Sequence, residues 1–382
     1  PLDFNFYYKY FIGNKSISIL YYCNYSIPYS YQILEKMNSY TNLEKRLNNQ
    51  FLGNNELSRY LHKRNFGKKT GKDIKKIFIT GLARSGTTAL LNQIFEMDAV
   101  ASIQYKHMPF VLSPRLSSIA SKYMISSTAE NKKERLHGDN IFISHNSPEC
   151  LDEPFWIKEN NKYFQEPLTS QINLNKSSIE AYEYFLDKHA IIQGKKYIVV
   201  KNNNNHIRIL QIASHIRNSI FIVLFRDPVY QSLSLLNTHK RISDFQKKDK
   251  YIIEYMNLIG HREFGLNQIY FKYDEQSLKK LKKSSVEGNL SFEYWLQSWI
   301  NTYSWLSKIN LKKNKNIFFL SYEELCSKNK SIINKLFNSI NLDLPKENSL
   351  INKNSQSNNL KKTKLIKEAN LIYEKLKEKS FK

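Results

Sequence analysis

In the stretch ITGLARSGTTALL (residues 79–91) two glycines, Gly81 and Gly86, bracket four residues and lead into an apolar, helix-like run. Glycines at this spacing let the backbone turn tightly and aim its N–H groups at an anion, and the positive end of the following helix adds to the attraction. A nucleoside triphosphate loop of this kind carries a lysine directly after the second glycine, to reach the terminal phosphates. Here that position is Thr87, and the cation of the loop is Arg84. Ser85, Gly86, Thr87 and Thr88 are expected to offer backbone and hydroxyl donors. The pattern predicts a phosphate cradle with its positive charge moved away from the terminal phosphate.

Such a loop works only between a strand and a helix, and the surrounding sequence supplies both. IFIT (77–80) is a short buried strand running into the glycines, and Leu90, Leu91, Ile94 and Phe95 line the inner side of a helix over 87–97. YIVV (197–200), IFIVLF (220–225) and IFFL (317–320) have the length and β-branching of further central strands. Helical segments separate them, among them HIRILQIASHI and SFEYWLQSWINTYSWLSKI. In the second, Phe292, Trp295, Leu296, Trp299, Ile300, Tyr303 and Leu306 share one face. Strands alternating with helices predict an α/β fold with a parallel sheet, whose ligands lie at the carboxyl ends of the strands. Lys201 follows the second of these strands, and Arg226 with DPVYQSLS follows the third. None of the four ends directly in the aspartate that a nucleotide hydrolase offers to magnesium. Cations and amides alone would hold the ligand, which suits a polyanion.

GLARSGTTALL resembles the 5′-phosphosulfate loop of sulfotransferases that use 3′-phosphoadenosine 5′-phosphosulfate. FRDPVYQSLS resembles their 3′-phosphate motif, with Arg226 at the strand end and Ser234 eight residues on. The likeness covers roughly residues 75–330. It implies a sulfotransferase-like fold related to the P-loop folds, a central parallel sheet of about five strands flanked by helices, and no required metal. It also implies that Gly81, Arg84, Ser85, Gly86, Thr87, Thr88, Arg226 and Ser234 hold the donor, with Arg84 leaning over the transferring group. Tyrosylprotein sulfotransferases place a catalytic lysine at the end of a comparable strand, which matches Lys201; the asparagines of YIVVKNNNN depart from that family.

An acceptor hydroxyl must lose a proton, so a carboxylate or imidazole has to stand within hydrogen-bond reach of it. Where the tyrosylprotein enzymes have a glutamate, ASIQYKHMPF has none and offers His107 beside Lys106. Bacterial sulfotransferase-like relatives with a YRDMPF-like segment have aspartate at the place of His107. His107 is the leading candidate for the base. The segment 136–156 competes with His137, Asp139, Glu149, Asp152 and Glu153, and Glu149 is the second candidate. The same segment reads as a helix start capped by Ser147, with acidic residues in its first turn. A late glycine-rich nucleotide loop is missing; Lys361 and Lys362 are candidates to replace it, beside a helix whose Leu365, Ala369, Ile372 and Leu376 face the core.

The chain has 382 residues and a formal charge of +24, with 41% hydrophobic residues, enough for a substantial core. The charge favours anionic partners, a nucleotide co-substrate above all, although lysine is abundant here together with asparagine, isoleucine and tyrosine, as AT-rich coding produces. No specific nucleic-acid motif is present. Cys23, Cys150 and Cys326 are scattered, which fits a reducing compartment and a cytoplasmic or membrane-peripheral protein. Residues 16–34 carry no charge, yet their serines, tyrosines and Pro28 argue against a spanning helix. Residues 1–36 are expected to be an extension outside the folded protein, 37–75 a helical lead-in broken at Gly53 with Leu43, Leu47, Leu57 and Leu61 inward, 76–345 the sulfotransferase domain, and 346–382 a helical tail. The function expected is sulfuryl transfer to a hydroxyl of a glycan, lipid or metabolite. The rivals are a P-loop kinase and a noncatalytic nucleotide- or polyanion-binding protein.

Overall fold

The computed structural model describes residues 7–12, 15–20, 40–124, 133–134, 142–149, 151–159, 168–170, 172–216, 218–285, 290–326, 331–339 and 363–381. Five strands form the central sheet: β1 (Lys75–Thr80), β2 (Val100–Ser102), β3 (Tyr197–Lys201), β4 (Ser219–Phe225) and β5 (Ile317–Ser321), in the order β5-β4-β1-β3-β2. Every pairing is parallel. Both faces are covered, so the strands read as unbroken apolar runs while their residues still alternate between two cores. Phe78 stacks on Phe221 in the larger core, which also holds Tyr182 and Trp299; Ile77 and Ile79 pack with Val199, Ile222 and Leu224 on the other face.

The lead-in helices Asn42–Leu52 and Glu56–Lys63 break at Gly53 and send Phe51, Leu52, Leu57 and Leu61 into the larger core. Leu43, expected inward, is 49% exposed, because the first turn is set by the Thr41–Glu44 capping box and not by its leucine. HIRILQIASHI is not one helix: a 3-10 turn over Asn203–Ile207 precedes the helix Ile209–His215. Phe292–Leu306 is helical and buries Trp295, Trp299 and Tyr303 as its spacing predicts. The tail helix Lys364–Lys379 buries Ile366, Ala369 and Leu376, and the chain beyond it bridges β5 through Ser380 and Phe319. Ser147 caps no helix. The helix begins at Glu153, and the Ser147 hydroxyl instead accepts from the Ser144 N–H at 2.9 Å.

Candidate functional site

The glycine loop leaves the carboxyl end of β1, the middle strand, and its two glycines are required by close approach. Gly81 (φ +135°) and Gly86 (φ +95°) are left-handed, and a Cβ would lie 2.2 Å from the Leu224 carbonyl oxygen or 2.4 Å from the Tyr322 ring. Arg84 between them is the one described non-glycine residue with positive φ, at 71°, a conformation that costs about 1–2 kcal/mol. The far side of the loop is tied down by side chains from two helices. The Tyr303 hydroxyl meets the Leu82 N–H and donates to the Leu224 carbonyl, while Gln231 Nε2 donates to the carbonyls of Leu82 and Ala83 at 3.0 Å each. Trp299 Nε1–H fixes the Gln231 oxygen at 3.0 Å, so this core tryptophan also braces the loop. The helix Thr87–Phe95 starts at Gly86, which has no side chain to cap it, so the positive end of the helix faces the loop.

Three cations reach this end of the sheet. Arg84 is half-buried and its Nε–H donates to Ser234 Oγ at 3.0 Å, joining the loop to the helix Pro228–Lys248. That helix is started by its own sequence: Asp227 accepts from the N–H groups of Val229 and Tyr230, and Pro228 stands in its first turn. Arg226, buried at the end of β4, lies 4.4 Å above the Tyr322 ring, the same ring that Gly86 touches. Glu323 accepts from the Asp227 N–H and from the Tyr373 hydroxyl of the tail helix, so the tail reaches the arginine motif through Tyr373. Lys361 and Lys362 lie outside the described residues, as do His137, Asp139 and Cys150.

Lys201, the last residue of β3, is 5% exposed and its Nζ donates to Glu149 Oε1 at 2.7 Å. Glu149 is 4% exposed and held there by its own N–H on the Ile103 carbonyl; Tyr105 approaches its other oxygen at 3.5 Å. Two residues that the sequence nominates separately are thus one buried ion pair. His107 sits in the turn Tyr105–His107, buried, with its ring 5.2 Å from that of His189. Its Nδ1 accepts from the Gln104 N–H at 3.0 Å, and burial, with His189 and Lys106 adding to it, pushes its pKa down to about 2.

The remaining acidic residues are spent on one another's partners. Glu153 makes a two-point pair with Arg208, both essentially inaccessible, and Asp152 accepts from Tyr182 (2.6 Å) and Asn202 (3.1 Å). Burial raises the Asp152 pKa to about 6. The asparagine run, where the sequence departs from the tyrosylprotein enzymes, is a buried polar hub. Asn202 serves Asp152 and Glu153, Asn203 serves Thr87 and Glu263, and Asn205 accepts from Arg208. Asn203, Glu263, Tyr322 and Glu323 were not nominated by sequence; four consecutive asparagines directly after a strand-end lysine were the one available signal. Among the described residues no group of three His, Cys, Asp or Glu is placed to hold a metal, and no helix is long and apolar enough to cross a membrane.

A profile described as "Sulfotransferase domain" matches residues 74–382. A search of curated sequences returned no match. Among solved structures, sulfotransferase STF1 from Mycobacterium tuberculosis is similar at 12% identity, over 92% of this chain and 90% of that one, with a TM-score of 0.44. Sulfotransferase STF9 from Mycobacterium avium is similar at 12% identity, over 80% and 88% respectively, with a TM-score of 0.30. The matched span takes in the glycine loop, both cationic strand ends and the tail helix, and the chain belongs to the sulfotransferase family.

Proposed function

We propose that this protein moves the sulfuryl group of 3′-phosphoadenosine 5′-phosphosulfate to a hydroxyl of an acceptor that is a glycan, a lipid or a small metabolite. The observation that carries the reading is the Arg84–Ser234 hydrogen bond. It joins a loop suited to a phosphosulfate to an arginine-led helix suited to a 3′-phosphate, so a ligand with anionic groups at both ends can span them. The donor set fits such a ligand: Arg84, Lys201 and Arg226 bring three cations to one end of the sheet, and the uncapped start of the loop helix adds N–H groups. When bound, the donor supplies an activated sulfuryl group whose leaving oxygen gains negative charge. Arg84 and Lys201 hold fixed positive charge for that oxygen, and Arg226 and Ser234 hold the remote phosphate.

Glu149 takes the acceptor proton on a carboxylate oxygen. His107 is poorly suited to that step, because Nδ1 already accepts a backbone hydrogen bond and the neutral ring then carries its proton on Nε2. The cysteine usage and the basic surface fit work in the cytoplasm or at a membrane surface. Titration calorimetry with 3′-phosphoadenosine 5′-phosphate, and transfer from the sulfonucleotide across a panel of hydroxyl compounds, test the reading. Binding followed by sulfated product is expected. A folded protein that ignores the sulfonucleotide but turns over ATP with magnesium would overturn it.

A further inference from the structure

Glu263 lies in a segment between the helix Tyr251–Ile259 and the strand Phe271–Lys272 that is held by dedicated contacts. The Gly265 N–H donates to His239 Nδ1, the Leu266 N–H to Gln246 Oε1, and Asn267 Nδ2 to Asn257 Oδ1. This clamped loop delivers a carboxylate that is 7% exposed against the asparagine hub. Glu263 Oε1 accepts from Asn203 Nδ2 at 2.9 Å, and Oε2 is buried with no hydrogen-bond partner. Its pairing is one-sided and aimed at Asn203, unlike that of Glu153, which Arg208 meets on both oxygens. A carboxylate can only accept, so Asn203 must turn its NH2 toward Glu263 and its oxygen away. That oxygen faces Thr87 and accepts its hydroxyl proton at 3.2 Å. Asn203 is itself fixed, because its backbone carbonyl accepts from Thr80 Oγ1 at the end of β1.

We infer that Glu263 is a positioning residue of the donor site: through Asn203 it sets the direction of the Thr87 hydroxyl and so holds the first turn of the loop helix in its binding conformation. This deepens the donor reading above and rests on it. The proton of the Thr87 hydroxyl is committed inward, so Thr87 meets an anion with its backbone N–H. Without the carboxylate, Asn203 is free to flip and Thr87 loses its fixed partner.

The test is a double-mutant cycle between Glu263→Met, which keeps the bulk of the side chain, and Thr87→Val, read by calorimetric affinity for 3′-phosphoadenosine 5′-phosphate. Each single change is expected to weaken binding by about five- to tenfold, the worth of one net hydrogen bond. The double change should bind no worse than Thr87→Val alone, and Glu263→Gln, which keeps an accepting oxygen, should stay near wild type. Additive losses, or unchanged affinity in Glu263→Met with only a lowered Tm, would overturn the assignment. Should Glu263→Met not fold, Glu263→Asp, which draws the carboxylate back from Asn203 by one methylene, takes its place in the cycle with the same two outcomes. Wild-type protein that fails to bind the nucleotide removes the donor reading and this inference together, whereas intact wild-type binding with an additive cycle removes the inference alone.

Discussion

Replacing Glu149 by glutamine should separate two things that the Lys201–Glu149 pair does at once. Both side chains are over nine-tenths buried and meet at 2.7 Å. Removing one charge from a buried pair typically costs about 3–5 kcal/mol, because its partner stays in the interior uncompensated. The glutamine oxygen can still accept from Lys201 Nζ, which puts Glu149→Gln at the low end, about 3 kcal/mol. Lys201→Met removes the cation paired with the carboxylate at 2.7 Å and falls higher in that range. The double variant carries neither charge and should recover most of the loss. Urea unfolding followed by tryptophan fluorescence reads this well, since Trp156, Trp295 and Trp299 are buried. Activity should not recover with stability. A general base contributes roughly 100- to 10,000-fold, so Glu149→Gln and the double variant should both be nearly inactive at saturating donor, with affinity for 3′-phosphoadenosine 5′-phosphate little changed in Glu149→Gln. Turnover of Glu149→Gln within about tenfold of wild type would refute the base assignment, while additive stability losses would refute the pair itself.

Arg226→Ala should weaken 3′-phosphoadenosine 5′-phosphate binding by the roughly 1.5–3 kcal/mol of a charged hydrogen bond, and Ser234→Ala by about 1 kcal/mol, both measured by calorimetry; unchanged affinity in the arginine variant would remove the 3′-phosphate role. Arg84→Ala should lower kcat on the order of 100- to 1000-fold, with a smaller change in the donor KM; normal kcat would make Arg84 a binding cation only. His107 and His189, with pKa values pushed by burial to about 2 and about 4, stay neutral in the fold while the unfolded chain takes up protons below about 6.5. Their contribution is therefore present above that pH and lost as pH falls toward the folded values, by about 2 kcal/mol each at pH 5, and His107→Gln should flatten this limb in urea unfolding at pH 7 and pH 5. Asp152 runs the other way. Burial raises its pKa to about 6, so its contribution is present below about 4 and lost as pH rises through 6, and Asp152→Asn should gain stability at pH 7 relative to pH 4.

What could be read from the sequence, and what could not, divides along the range of the contacts involved. Central strands such as Phe221–Phe225 declare themselves because both faces are buried and the run is continuous. Val100–Ser102 does not: three residues on one edge of the sheet carry no period, and only their pairing with Tyr197–Val199 makes them a strand. The glycine loop and the Arg226–Ser234 motif were legible for a local reason, since each depends on backbone turns and helix starts encoded within about ten residues. The proton acceptor is different. Glu149 and His107 look equivalent until it is known that one meets Lys201, 52 residues away, and the other turns its Nδ1 back onto Gln104. The same holds for Glu153, which reads as first-turn acid for a helix dipole and is taken by Arg208, 55 residues on. It holds most of all for the asparagine run. Four identical polar residues resemble a solvated loop, and they are buried because Asn202, Asn203 and Asn204 each find a separate distant partner while Asn205 accepts from Arg208 three residues on; no local pattern encodes the three distant partners at once. Pairings over such distances specify the site, so the chemistry was written in residue types that only the fold could match to one another.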